Sequence, residues 1–138
     1  MEIDSQDFEE RMQLAMEGLG HDLRREFRKA APKDTGHLYR NIEVKVKDGK
    51  IEFSFPEYAL YLEYGTGLFN EYPGAQKKKI EAKDKQALAF EYKGKTIVVK
   101  SIKGMTPRPF IRPTMHQKFM DLMIKNLNAN FKDIKIRL

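Results

Sequence analysis

No cysteine occurs anywhere in the chain. That excludes disulfides, thiolate nucleophiles and cysteine zinc sites, and it fits a reducing cytoplasm. Long apolar runs are missing too: none approaches the roughly 20 residues that a membrane-spanning helix needs. The opening Met1-Glu2-Ile3-Asp4 is acidic and has no apolar stretch behind it. A secretory signal is therefore not expected, and the protein is expected to stay in the cytosol unless a larger particle carries it out. Histidine is scarce: His21, His37 and His116 lie far apart, without metal-binding spacing such as His-Glu-x-x-His. They read as ordinary surface or boundary residues. The serines Ser5, Ser54 and Ser101 include none in a nucleophile elbow. There is no internal repeat.

What is present suits one folded unit. The 138 residues match one ordinary domain, read here as spanning 1–138, and the 41% hydrophobic and 11% aromatic content supplies a packed core. A net charge of +6 favours acidic surfaces, whether nucleic acid, anionic lipid or an acidic protein patch, without choosing among them.

From about Ser5 to Ala30, Phe8, Met12, Ala15, Leu19, Leu23 and Phe27 recur every three or four residues, which predicts an amphipathic helix. Asp4 or Ser5 is placed to cap it, and Pro32 to end it. Gly18 and Gly20, each costly by about 1 kcal/mol inside a helix, mark a kink or a close approach to a sheet. Ile42, Val44 and Val46 alternate with polar residues, as do Ile51, Phe53 and Phe55, and Asp48-Gly49 between them signals a hairpin. A short helix from about Glu57 to Tyr64 ends at Gly65. From Thr66 to about Gln86 no period survives, so a mobile loop over about residues 66–87 is expected. Leu88, Phe90, Tyr92, Ile97 and Val99 give a second hairpin turning at Lys93-Gly94. A final helix is expected from Pro113 to about Phe131, with Met115, Phe119, Leu122 and Leu127 on one face and Met120 and Ile124 widening it. The tail Ile134–Leu138 alternates like an edge strand. The predicted fold is α+β: an antiparallel sheet of two hairpins, joined at its edge by the tail, packed by long N-terminal and C-terminal helices.

Asp34-Thr35-Gly36 matches the active-site triplet of aspartic proteases. Those enzymes place the aspartate after an apolar strand and pair it with a second copy, so that two carboxylates share a proton. Here the triplet follows a helix end, and it reads better as a turn in which Asp34 caps the next helix. Gly65-Thr66-Gly67 lacks the lysine–serine pair of a phosphate loop. No catalytic role and no cofactor or metal is expected. The nine lysines between Lys77 and Lys103 allow a second reading, a basic nucleic-acid-binding module. Lysines alternating along strands are ordinarily the solvated side of a sheet, which leaves the Lys77-Lys78-Lys79 run as its better support.

Three segments carry a resemblance together that none carries alone. They are Ala31-Pro32-Lys33-Asp34-Thr35-Gly36-His37-Leu38, Tyr58-Ala59-Leu60-Tyr61-Leu62-Glu63-Tyr64-Gly65-Thr66-Gly67, and Pro107-Arg108-Pro109-Phe110-Ile111-Arg112-Pro113. In this order and spacing the chain resembles the small head–tail joining, neck or tail-completion proteins of long-tailed bacteriophages and prophages. The resemblance implies an α+β fold without a cofactor and a structural virion role as a homo-oligomeric ring, with the isolated chain monomeric. It implies other neck, connector or tail proteins as partners; no membrane contact is expected, and DNA contact is allowed for but not as a specific one. Assembly would take place in the host bacterial cytoplasm and the final site would be the virion neck or the head-proximal tail end. Phe110 is expected in the core. The candidate interface is Tyr58, Tyr61 and Tyr64, spaced on one helical side, with Glu63, Lys77, Lys78, Lys79, Arg108 and Arg112. For the two arginines, pairing within the chain to Glu63 or Glu57 is an equal reading.

Overall fold

The structure is a computed structural model that describes residues 4–33, 37–81, 88–92, 95–99 and 101–133, the segments 88–92 and 95–99 by backbone alone. In sequence order the elements are α1 (Ser5–Ala30), α2 (His37–Arg40), β1 (Glu43–Lys47), β2 (Lys50–Ser54), α3 (Ala59–Tyr64), a 3-10 turn (Gly67–Phe69), β3 (Ile80–Glu81), β4 (Leu88–Tyr92), β5 (Lys95–Val99), β6 (Ser101–Ile102) and α4 (Ile111–Asn130). The fold is α+β, with long helices near both ends. Contacts divide the chain into two compact units: residues 1–56 with 110–138, and residues 57–109. The Asp34-Thr35-Gly36 triplet, residues 82–87, the Lys93-Gly94 turn and the tail from Ile134 lie outside the described residues.

The first unit is built on α1. Asp4 accepts a hydrogen bond from the Asp7 backbone N–H at 2.9 Å, so one of the helix's orphan donors is satisfied. Ala15, Leu19, Leu23 and Phe27 are buried along one stripe. Phe27 meets Phe53 and Phe55 edge-on, with centroids 5.0 and 5.5 Å away, and Phe55 meets Phe110 at 5.9 Å. These are favourable aromatic geometries at the centre of the core. Phe110 is fully buried, as expected from the proline-stiffened segment that delivers it.

The β1–β2 hairpin pairs Glu43 with Ser54 through Lys47 with Lys50. Its turn residues Asp48 and Gly49 both have positive φ, 53° and 73°, which matches the right-handed twist of the strands. Val44, Val46 and Ile51 press on Gly20 of α1. A Cβ there would lie 3.0 to 3.3 Å from a methyl of each, so the glycine marks a close helix-to-hairpin approach.

Helix α4 packs along α1 through polar residues as well as apolar ones. Thr114 and Asn126 are its buried side chains, whereas Met115 and Met120, expected on the packed face, are 37% and 56% exposed. The reason lies on α1: Gly18 leaves open the space that Asn126 occupies. Asn126 Nδ2 donates to Asp22 Oδ2 at 2.9 Å and to the Leu122 carbonyl at 2.8 Å. At the far end, Phe131 is buried beneath Phe8 and Arg11, and Arg11 pairs with Asp133. The helix begins at Ile111, two residues before the expected Pro113. The proline still falls in the first turn, where a missing N–H costs no helical hydrogen bond.

The second unit contains α3, the 3-10 turn and two short antiparallel ladders, β3–β6 and β4–β5. The single sheet of two hairpins expected from the pattern is not formed among the described residues: each hairpin is its own two-stranded ladder. The alternating inner face of β1–β2 is covered by α1.

Candidate interaction site

Helix α3 carries the candidates Tyr61, Glu63 and Tyr64, with Tyr58 at its N-cap. It stops at Gly65, whose φ of 78° and backbone N–H to the Tyr61 carbonyl form the helix end. Gly65-Thr66-Gly67 then runs against Lys103-Gly104-Met105. Thr66 N–H donates to the Met105 carbonyl at 2.9 Å, Leu68 N–H to the Lys103 carbonyl at 2.8 Å, and Met105 N–H to Thr66 Oγ1 at 2.9 Å. Any side chain at Gly67 or Gly104 would collide with the opposite backbone. The three glycines therefore allow two backbones to touch; the helix-stop reading accounts for Gly65 alone. The signal for the rest, glycine at 67 and 104 flanking the irregular stretch, is visible only once the two segments are known to meet. Arg108 N–H donates to the Leu62 carbonyl at 2.7 Å, which ties the proline-rich segment to α3.

The expected interface residues divide by burial. Glu63 is 1% exposed and faces inward. Tyr58 and Tyr64 are half-buried, and Tyr64 meets Tyr72 edge-on at 5.0 Å. Tyr61 stands out at 47% exposure, beside Leu60 at 49%. Leu68, Phe69 and Tyr72, which the sequence reading did not single out, are exposed as well. Lys77, Lys78 and Lys79 are exposed, as are Arg108 in this unit and Arg112 in the first turn of α4 in the other. Residues 66–81 of the expected loop carry the 3-10 turn, a Glu71 N–H bond to the Tyr64 carbonyl at 2.8 Å, and the short β3 pairing with β6.

Among the described residues there is no group of three or more histidine, aspartate or glutamate side chains able to hold a metal, and His21, His37 and His116 are all exposed. No described helix is long and apolar enough to cross a membrane. Two described carboxylates are perturbed: Asp133, held below the ordinary aspartate value by its hydrogen bond to Arg11, and Asp22. Burial pushes it up, while the Asn126 amide and the charges of Lys125 and Arg25 pull it down by more, leaving it below the ordinary aspartate value. Its hydrogen-bond and ion-pair partners are Asn126 and Lys125 of α4 and Arg25 of α1.

Neither the curated proteins nor the solved structures contain a match to this chain. The family described as "Bacteriophage HK97-gp10, putative tail-component" (HK97-gp10_like), a structural phage family and not an enzyme family, matches residues 1–65, a span that includes the Ala31–Leu38 segment and α3, and over that span the resemblance to phage tail components is borne out.

Proposed function

We propose that the protein is a structural virion component of a tailed phage or prophage that completes the tail or joins it to the head, with copies arranged as a ring. The observation that carries this reading is the match of residues 1–65 to a phage tail-component family. The third segment supports it from outside that span: Pro107-Arg108-Pro109 leads to the buried anchor Phe110 and opens α4. The second unit supplies a docking face suited to other neck, connector or tail proteins. Leu60, Tyr61, Leu68, Phe69 and Tyr72 are exposed apolar or aromatic groups within one short stretch of chain, the composition that interface centres favour. Lys77, Lys78, Lys79 and Arg108 give the same unit an exposed basic rim. On this reading segment 70–79, which carries no regular structure, closes onto the neighbour during docking. Assembly takes place in the host cytoplasm, and the finished protein sits at the neck or the head-proximal tail end.

The test is electron microscopy of particles from a producing strain with this reading frame interrupted. Separate DNA-filled heads and tails are expected for a joining role, and abnormally ended tails for tail completion. Normal infectious virions would overturn the proposal.

A further inference from the structure

Helix α1 is electrically divided along one side. In its first turns Gln6, Glu9, Glu10 and Gln13 line an open groove together with Asp48 of the β1–β2 turn. In its last turns His21, Arg24, Arg25 and Arg28 surround a cavity of about 180 Å³. At 3.6 residues per turn the two sets point about 60° from each other, and their centres are roughly 22 Å apart along the axis. Arg25 pairs with Asp22 at 3.3 Å, but the other charged groups of the two sets are not neutralised in this way. Glu9, Glu10 and Asp48 have no ion-pair partner among the described residues, and neither have Arg24 and Arg28. The arginines are nevertheless positioned: Arg24 Nε donates to the Ile42 carbonyl at 2.6 Å and Arg28 Nη2 to the Arg40 carbonyl at 3.3 Å. Arg28 Nε is buried and has no acceptor among the described residues. Guanidinium groups held by backbone carbonyls keep their remaining N–H groups for carboxylates arriving from outside.

From this we infer that the basic cavity at the end of α1 receives the acidic groove at the start of α1 of a second copy, in a head-to-tail contact. The polarity of the helix selects that occupant, because the same chain carries both complementary surfaces. A symmetric antiparallel pair of α1 helices would also match acid with base at its two ends. Its two-fold axis would fall near Glu17, however, and bring that carboxylate against its own copy, which is repulsive. The head-to-tail contact uses different surfaces on the two partners, and such contacts propagate into rings or filaments. Complementary charge sets orientation and encounter rate more than strength, so assembly stays weak until a tail concentrates the copies. The inference rests on the ring reading only for closure of the series of contacts; the contact itself is a property of the isolated protein.

The cysteine-free sequence makes the test direct. Glu10→Cys and Arg25→Cys are both at exposed positions, and the full-length single variants and the double variant are treated with a short bis-maleimide. The two sites lie about 22 Å apart on one helix, beyond the reach of a short linker within one chain. A mixture of the two single variants should give a linked dimer, the double variant a ladder of linked chains, and each single variant alone neither. In roughly 1 M salt, where the screening length falls to about 3 Å, the ladder should vanish. The control double variant Glu43→Cys/Asp121→Cys should give no ladder. A ladder no stronger than that control overturns the inference, and a double variant that links only as far as a dimer overturns it in favour of a symmetric pair, in which Glu10 of each copy faces Arg25 of the other. Loss of the ladder on adding a DNA duplex that binds wild type but not Arg24→Glu/Arg28→Glu overturns it in favour of nucleic acid. None of these failures bears on virion morphology, so the phage reading stands or falls separately.

Discussion

Asp22 sits inside the stripe of α1 that the apolar period assigns to the core, where it holds three donors from two helices. Asn126 Nδ2 is 2.9 Å from Oδ2, Lys125 Nζ 3.5 Å from the same oxygen, and Arg25 Nη1 3.3 Å from Oδ1. Its folded pKa lies below the ordinary value of 3.8, so its contribution is complete above that value and is lost as pH falls through the lower folded one. Asp22→Asn keeps the shape and removes the charge. We expect it to destabilise the protein by about 1–3 kcal/mol at pH 7, and urea titrations of both proteins at pH 7 and pH 3 should show that gap narrowing in acid. An equal gap at both pH values would mean that the charge is irrelevant. Phe27 is the other residue on which the first unit turns. Phe27→Ala removes a ring that contacts Phe53 and Phe55 and should cost about 3–5 kcal/mol in the same titration. The sequence pattern made Phe27 legible. Asp22 and Asn126 were not, because a period of apolar residues reads past polar ones, although a carboxylate three residues after Leu19 was the available signal.

At the scale of elements, the two glycines of α1 record what packs against it. Helix propensity alone favours alanine at either position by about 1 kcal/mol. A Cβ at Gly20, however, would press on Val44, Val46 and Ile51, and one at Gly18 would collide with Asn126 Oδ1. Both single substitutions should therefore destabilise, Gly20→Ala by about 1–3 kcal/mol through overpacking against the hairpin. Gly18→Ala offers a sharper comparison, because its obstruction is one side chain. In an Asn126→Ala background the collision is gone, and Gly18→Ala should then stabilise by about 1 kcal/mol. A destabilising effect in both backgrounds would place the obstruction elsewhere. The same contacts explain which elements were legible. Helix α1 and the β1–β2 hairpin follow local signals, a 3.6-residue period with a cap and a period of two around Asp-Gly, and both formed as expected. Helix α4 was legible in extent but not in orientation. Its inward row includes Thr114 and Asn126, chosen by the gap at Gly18 on a distant segment. Joining the two hairpins into one sheet was an assumption about long-range pairing that no local pattern encodes.

For the whole molecule, the question is which exposed groups serve folding and which serve assembly, and the two can be separated by measurement. Tyr61 and Phe69 are large, exposed and outside the buried core of either unit, so polar replacement should cost little in the isolated chain. Tyr61→Ser/Phe69→Ser should leave the urea midpoint within about 0.5 kcal/mol of wild type. In a strain lacking the reading frame, the same variant supplied in trans should fail to restore normal particles, while a variant altered at Met120, exposed on α4 of the other unit, should restore them. The comparison has force because both altered positions are apolar surface, and only those in the proposed docking face should matter. Full restoration by the Tyr61/Phe69 variant would remove the aromatic patch from the interface and leave the charged side of α1 as the surface through which copies meet.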